Sequence, residues 1–477
     1  MPVERKLDDR SQWVRGAGST GAGLGRSSGK TVRRGASEWT ERPDGAEVTT
    51  GGLFEELSWR GLVAQATDDT LAERLDQESL VLYCGFDPSA PSLHVGNLLG
   101  ILLLRRLQEA GHRVIALVGG GTGMVGDPSG RDAERTLLET ERLAANVAGV
   151  RAQLEHLLEV EETPGRPGAL VLDNAVWLSS VGLLEFLRDV GKHFTVNQMV
   201  AKESVRARLE GREQGISYTE FSYMLLQAYD FLQLHDGFGC TLQVGGSDQW
   251  GNITAGVDLV RRARAREVFG LTHPLVVRAD GTKFGKSVAG AVWLDPARTS
   301  PFAFYQFFLQ AEDAVVGSYL RFYTWLSREE IEALDAETAA HPERRAAQRA
   351  LARALTTLVH GADAAANAER AAAALFSGSL QELDAAALEE AFREAPSSTW
   401  PLARLDPPGW ALVEVMAACG LVESKGAARR AVAQGGAYVN GVPVADLEAA
   451  LSRDDLLAGG VVVLRRGKRH QHLLRFV

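Results

Sequence analysis

The stretch from Leu80 to Gly100, LVLYCGFDPSAPSLHVGNLLG, constrains this chain more than any other. The apolar run Leu80-Val81-Leu82 enters a turn rich in Gly, Asp and Pro. The turn leads into His94-Val95-Gly96-Asn97 and then apolar residues at helical spacing. This reads as a buried strand over 80–84, a loop, and a helix over 98–110. Unpaired amides at a helix start and the helix dipole both favour negative charge. The pattern therefore points to a phosphate-bearing ligand at the C-terminal end of a parallel strand.

The next segments extend that frame. RVIALV (113–118) reads as a second buried strand, and GGGTGMVGDPSGRDAERT (119–136) follows it as a glycine-rich loop. Strand, helix, strand and glycine loop make a βαβ unit with a parallel sheet. The loop is not a P-loop, because Asp127 follows Gly126 where a lysine is needed. A lone carboxylate there can be a turn former, a helix cap or a ligand group. Arg131 and Arg135 are phosphate binders if the loop is a site, and solvated charges otherwise. A second P-loop lookalike, 25–31, is one residue short between its glycines and has no strand before it.

Further on, a charged helix is expected over 137–165, a strand over 170–172 and a helix over 177–190. In GISYTEFSYMLLQAYDFLQL (215–234), Tyr223, Gln227 and Asp230 fall at i, i+4 and i+7 on one helical face. The other faces are apolar as well, so the helix is buried and its polar stripe needs partners, which a polar ligand can supply. A strand over 240–244 precedes Gly245-Gly246-Ser247-Asp248-Gln249-Trp250-Gly251-Asn252. An acid at that point fits ribose hydroxyls in a nucleotide fold. A strand ending over 275–278 leads to Asp280-Gly281-Thr282-Lys283-Phe284-Gly285-Lys286-Ser287. This is either an exposed Asp-Gly turn or a mobile loop that delivers two ammonium groups to phosphates.

The 477 residues suffice for two to four domains, and 45% hydrophobic with 23% charged residues is the balance of a soluble globular protein. Residues 1–50, rich in Gly, Ser and Arg, are expected to be disordered. No apolar run spans a bilayer, and no apolar segment marks a secretory signal. The three dispersed cysteines, Cys84, Cys240 and Cys419, suit a reduced, cytoplasmic compartment and no zinc site. Residues 300–395 carry helical periodicity, and prolines mark a linker over 396–408. The segment 409–477 combines two helices with a hairpin at Asn440-Gly441. Net charge is −10, yet Lys425, Arg429 and Arg430 share a helix and Arg465, Arg466, Lys468, Arg469 and His470 cluster near the end. A basic patch in an acidic chain is either a solvated charged face or, the sharper reading, a binding surface for an RNA backbone.

Taken in order, these segments resemble bacterial tyrosyl-tRNA synthetase, a class I aminoacyl-tRNA synthetase. HVGN (94–97) is similar to the HIGH signature and KFGKS (283–287) to the KMSKS signature. YCGFDPSAPSLHVGN, GDPSGR, TEFSYMLLQAYDF and GGSDQWGN resemble that family's pocket segments, from about residue 53 to the C-terminus. Asn97 stands where the signature's second His would be, and Arg131 where a Lys is common. The resemblance implies an α/β protein with a Rossmann-type parallel-sheet catalytic domain over 51–299. It further implies an α-helical anticodon-binding domain over 300–395 and a small α+β RNA-binding domain over 409–477, similar to ribosomal protein S-four. A cytoplasmic homodimer using L-tyrosine, ATP, Mg2+ and tRNA(Tyr) goes with it, with no editing domain.

The implied reaction has two steps. The tyrosine carboxylate attacks the ATP α-phosphate and pyrophosphate leaves; the tyrosyl group then moves to the terminal ribose of tRNA. Such chemistry needs positioning and charge stabilisation rather than a nucleophilic side chain. The resemblance assigns catalysis to His94, Asn97, Lys283, Lys286 and Ser287. It assigns ATP to Asp87, Ser89, His94, Gly96, Asn97, Gly246, Asp248, Lys283 and Lys286. Tyrosine falls to Tyr83, Asp127, Tyr223, Gln227, Asp230 and Gln249, with Tyr83 and Asp230 at the phenol oxygen and Tyr223 and Gln227 at the ammonium. RNA contacts fall to Lys425, Arg429 and Arg430, and no residue is assigned to a metal.

Overall fold

Short runs of aliphatic residues bounded by Gly, Asp and Pro make strands when both faces can be covered by helices. The computed structural model describes residues 52–127, 139–164, 166–202, 205–206, 216–282, 284–287, 290–377, 380–393, 395–467 and 470–477. Residues 1–50, Arg131, Arg135, Lys283, Lys468 and Arg469 lie outside them, as do the side chains of Lys286 and Ser287. The described chain falls into two units. One comprises the residues up to Leu294 with Ser318–Leu326; the other comprises Asp295–Gly317 and Ser327–Val477.

The first unit runs α1 Leu53–Trp59, β1 Gln65–Ala66, α2 Leu71–Gln77, β2 Val81–Phe86, α3 Val95–Glu109, β3 Arg113–Val118, α4 Thr140–Leu157 and β4 Leu170–Asp173. It continues with α5 Ala175–Leu178, α6 Leu183–Asp189, α7 Val196–Val200, α8 Tyr218–Phe238, β5 Leu242–Gly246, α9 Trp250–Arg264, β6 Phe269–His273, β7 Lys286–Ser287 and β8 Gly290–Ala291. Its sheet has the order β1-β6-β5-β2-β3-β4, parallel except for β1. The chain goes outward from β2 through β3 to β4, then returns to the other side of β2 with β5 and β6. That reversal, between β2 and β5, opens a crevice at the carboxyl ends of the strands. Side chains alternate across the sheet. Val81, Tyr83, Ile115, Leu117 and Leu172 share a core with Phe231 and Leu234 of α8 and Leu259 and Val260 of α9.

Several boundaries differ from the sequence expectation. Strand β2 runs on through Phe86, so Tyr83 lies within it. Helix α3 begins at Val95 rather than 98, because His94 and Asn97 form a reciprocal capping box. The helix expected over 137–165 is the shorter α4, which ends where Leu158 turns extended. The single helix expected over 177–190 is two short ones, interrupted before Gly182. The strand expected over 240–244 is shifted to Leu242–Gly246. The last parallel strand ends at His273 rather than 278, where Pro274 has no amide to donate to a ladder.

The second unit holds α10 Pro301–Leu309, the helices α12 Arg328–Ala340, α13 Ala346–His360, α14 Ala362–Ser377 and α15 Ala385–Ala391, and part of α11 Asp313–Tyr323, which the division cuts after Gly317. Ser300 caps α10 by accepting from Ala303 N at 3.2 Å, and Ser327 caps α12 through a capping box with Glu330. Then come β9 Ser397–Trp400, β10 Trp410–Ala411, α16 Leu412–Ala418, α17 Lys425–Ala433, β11 Ala437–Val439, β12 Val442–Val444, β13 Ala450–Leu451, β14 Val461–Arg466 and β15 His470–Phe476. Five of these strands form a sheet of order β12-β11-β14-β15-β9. Asn440 and Gly441 both take positive φ, 49° and 86°, as a tight hairpin turn demands. The proline-marked segment 396–408 thus contributes β9, parallel to β15. Among the described residues, no helix is long and apolar enough to cross a membrane.

Candidate active site

Polar groups at the carboxyl ends of the strands form two hydrogen-bonded chains. The first centres on Asp230 of α8, 2% exposed. Its carboxylate accepts from Asn174 Nδ2 at 2.9 Å and from Trp177 Nε1 at 2.7 Å. Asn174 follows β4; its Oδ1 accepts from Gly121 N at 2.7 Å and its Nδ2 also donates to Thr122 Oγ1 at 3.0 Å. Thr122 Oγ1 lies 3.5 Å from Asp87 Oδ1, and Tyr223 Oη donates to that same oxygen at 3.3 Å. Tyr83 packs edge-on against Phe231, with ring centroids 5.4 Å apart. Its hydroxyl is fully enclosed and has no hydrogen-bond partner among the described residues.

The second chain starts at Asp127, where Oδ2 accepts from Gln249 Nε2 at 2.8 Å. Gln249 Oε1 accepts from Asn252 Nδ2 at 3.1 Å, and Asn252 Nδ2 also donates to Gln227 Oε1 at 3.0 Å. Asp127 is thus tied to Gln249, at the end of the turn after β5. Tyr223, Gln227 and Asp230, one turn apart along α8, reach different partners: Asp87 after β2, Asn252 of α9, and Asn174 and Trp177 after β4.

At the start of α3, His94 Nδ1 accepts from Gly96 N at 3.0 Å, and Asn97 Oδ1 accepts from His94 N at 3.1 Å. Accepting at Nδ1 assigns the proton of the neutral ring to Nε2. Asn97 keeps its Nδ2 donor. The KFGKS segment comes to this same helix start. Val95 N donates to Val292 O at 3.0 Å and Val292 N to Gly285 O at 3.1 Å. Gly285 has φ +99°, and a Cβ on it would lie 3.2 Å from Gly96 N, so only glycine passes there without strain. Ser89 is exposed, its amide donating to Asp87 O at 2.9 Å. Asp248 sits in the turn Ser247–Gln249 after β5, with Gly246 just before it.

Burial sets the electrostatics. It pushes the Asp230 carboxyl up to about 7, against the opposing pull of its bonds from Asn174 and Trp177. It also raises the Tyr83 and Tyr223 hydroxyls well above the usual phenol range, with nearby carboxylates adding to the effect. Both phenols stay protonated at neutral pH and can act as donors.

The family model of tRNA synthetases class I (W and Y) matches residues 75–377, and that of the tyrosine–tRNA ligase SYY-like C-terminal domain matches 387–474. The tyrosine–tRNA ligase of Roseiflexus castenholzii is 53% identical over 425 residues, covering 89% of this chain and 99% of the relative. That of Bacillus caldotenax is 51% identical, with 89% and 99% coverage. The chain belongs to the tyrosine–tRNA ligase family. A C-terminally truncated mitochondrial tyrosyl-tRNA synthetase from Aspergillus nidulans superposes with a TM-score of 0.61 at 33% identity, covering 68% of this chain and 93% of that one.

For a tyrosine–tRNA ligase the crevice holds more polar groups than the motifs announce. Thr122, Asn174, Trp177 and Asn252 were not singled out from the sequence. Asn252 closes the GGSDQWGN segment and could have been read from it. Asn174 and Trp177 lie in an ordinary strand–helix junction, LDNAVWL, whose only signal is an amide directly after a strand. Their importance appears once β4 is seen beside β3, within reach of α8. In the C-terminal part of this ligase-family chain, Lys425, Arg429 and Arg430 are all exposed on α17, and Lys425 Nζ pairs with Glu414 at 2.5 Å. Arg465 stacks over Tyr438, 3.6 Å from the ring centroid.

Proposed function

We propose that this chain ligates L-tyrosine to tRNA(Tyr) in two steps, with the strand-end crevice divided as follows. The phenol end of tyrosine meets Asp230 and Tyr83. The carboxylate of Asp230 accepts the substrate hydroxyl proton, and Tyr83 Oη donates to the substrate oxygen. The observation that carries this reading is the Tyr83 hydroxyl, enclosed and without a partner beside a buried carboxylate. A buried polar group left unpaired is costly, and a phenol bound between the two groups supplies the missing bond. In this enzyme family a pocket built to pair a hydroxyl rejects phenylalanine by roughly 10⁴–10⁵.

The ammonium and α-carboxylate end meets Tyr223, Gln227, Asp127 and Gln249, which Asp87, Asn252 and the Gln249–Asp127 bond hold in place. ATP, as its magnesium complex, lies with its phosphates at the start of α3 and its ribose at Asp248. The magnesium arrives on the phosphates, a mode in which the protein supplies few ligands. His94 Nε2, Asn97 Nδ2 and the ammonium groups of Lys283 and Lys286, with the Ser287 hydroxyl, stabilise the charge that builds on the leaving pyrophosphate. Stabilisation that is stronger in the transition state than in the ground state is what raises the rate. Asp87 orients Tyr223 and Thr122, and the exposed Ser89 serves ATP.

The helices over 300–395 serve the anticodon, and the exposed Lys425, Arg429 and Arg430 of α17 serve the tRNA backbone. The working form is a homodimer in the cytoplasm. Leu183, Leu184, Val196 and Tyr218 are 72, 81, 64 and 74% exposed, on α6, α7 and the start of α8. Residues of these same segments pack together around Met199, Met224 and Leu225, and exposed apolar side chains on segments packed together are of the kind that a second copy covers. The test is charging of tRNA by the full chain. Tyrosine should be esterified to tRNA(Tyr) in an ATP-dependent reaction; charging with tryptophan in its place would overturn the reading.

A further inference from the structure

His273 is the last residue of β6, 7% exposed, and lies in register with Gly246 at the end of β5. Its Nδ1 faces Pro274 O at 3.0 Å. A carbonyl only accepts, so the proton is on Nδ1 and Nε2 carries a lone pair. Among the described residues that nitrogen has no hydrogen-bond partner. Two glycines flank the ring. A Cβ on Gly100 would lie 3.4 Å from Nε2, and a Cβ on Gly246 would lie 3.7 Å from Cε1. Gly100 is one helical turn beyond Gly96 on α3, and Gly246 precedes Asp248. A nearly buried acceptor thus lies between the helix read as the phosphate site and the strand end read as the ribose site.

The strand order says which part of a nucleotide comes to this ring. Asn174, Thr122 and Asp87, which follow β4, β3 and β2, belong to the amino-acid side. The phosphate site follows β2, and Asp248 follows β5. Strand β6 is one step further, about 4.8 Å beyond β5. A nucleotide with its phosphates at α3 and its ribose at Asp248 lays its base over the end of β6. We infer that His273 reads the base of the nucleotide, its Nε2 accepting a hydrogen bond from the 6-amino group of adenine. A 6-oxo purine would set oxygen lone pairs against the ring nitrogen. Burial lowers the pKa of His273, which keeps the imidazole neutral and the acceptor available at neutral pH.

The inference rests on the reading of the crevice as an ATP site. Tyrosine-dependent pyrophosphate exchange is measured with ATP and with purine riboside triphosphate, which lacks the amino group. The unaltered protein should prefer ATP by roughly 3- to 10-fold in kcat/KM, the size of one neutral hydrogen bond. His273→Leu should lose that factor with ATP and stay within about two-fold for the analogue. An equal loss for both nucleotides means a structural role and overturns the inference, as does no loss for either. Absence of any exchange with ATP in the unaltered protein would sink the parent reading instead. If His273→Leu does not fold, ¹⁵N-histidine NMR of the unaltered protein decides. The Nε2 resonance should move on binding ATP and stay in place with purine riboside triphosphate; a resonance that ATP leaves unmoved overturns the inference.

Discussion

Replacing Asn174 by Ala should shift the pH dependence of tyrosine recognition rather than simply weaken it. Asn174 Nδ2 donates to Asp230 at 2.9 Å, inside a site where burial has already pushed that carboxyl up to about 7. A hydrogen bond to a charged group contributes about 1.5–3 kcal/mol, which corresponds to roughly 1–2 pKa units. Without it the Asp230 carboxyl should titrate near 8–9, by that same order-of-magnitude conversion. At about pH 7.5 the ionised fraction would fall from roughly three quarters to between about a quarter and a thirtieth. If the carboxylate form accepts the substrate hydroxyl, the tyrosine KM rises roughly 3- to 25-fold at that pH. At about pH 9.5 the variant is mostly ionised again and the deficit nearly closes. The assay is pyrophosphate exchange across pH 6 to 10, with variant and unaltered protein compared at each pH. A KM increase of equal size at every pH would refute the reasoning, because lost packing does not titrate. Stability gives a second readout with a definite sign. A carboxyl raised on folding contributes stability that is full below its unfolded value near 3.8 and is lost as pH rises through about 7. The lost bond acts only on the ionised form, so Asn174→Ala should destabilise more at pH 8.5 than at pH 6.

Tyr83→Phe removes a hydroxyl that has no partner in the protein; thermal unfolding should show no loss of stability, while tyrosine-over-phenylalanine discrimination falls roughly ten-fold. Lys286→Ala should slow adenylate formation by roughly 10²-fold in single turnover and leave tyrosine affinity within about two-fold; an equal loss of affinity contradicts the loop's role. Leu184→Asp places a charge on the exposed apolar surface and should shift sedimentation toward the monomer. Deleting the residues after Trp410 should spare pyrophosphate exchange and reduce tRNA charging at least ten-fold, and normal charging by that truncation would count against an RNA role for α17.

Much of the architecture was legible because period and punctuation agree. The strand, glycine loop and helix pattern from Leu80 to Thr136 could only be a βαβ unit, and the all-apolar strands could only be parallel and covered on both faces. Tyr223, Gln227 and Asp230 were recognisable as a buried polar stripe, and the structure gives each a partner. What stayed hidden depends on tertiary neighbours. The break between α5 and α6 comes from a junction with no proline to announce it. His94 reads as a ligand group in sequence, yet its Nδ1 is occupied in capping α3. Asn174 and Trp177 gain meaning only because β4 lies beside β3. His273 is an ordinary strand-end residue until Gly246 and Gly100 are seen on either side of its ring.

The central claim is that a phenol hydroxyl, read by Asp230 and Tyr83, selects the amino acid. Amino-acid-dependent exchange of pyrophosphate into ATP, measured with tyrosine, phenylalanine and tryptophan in parallel, tests it most directly. Exchange should be robust with tyrosine, with a kcat/KM for phenylalanine lower by roughly 10⁴-fold or more and tryptophan lower still. Exchange supported by tryptophan, or by phenylalanine within about ten-fold of tyrosine, would contradict it.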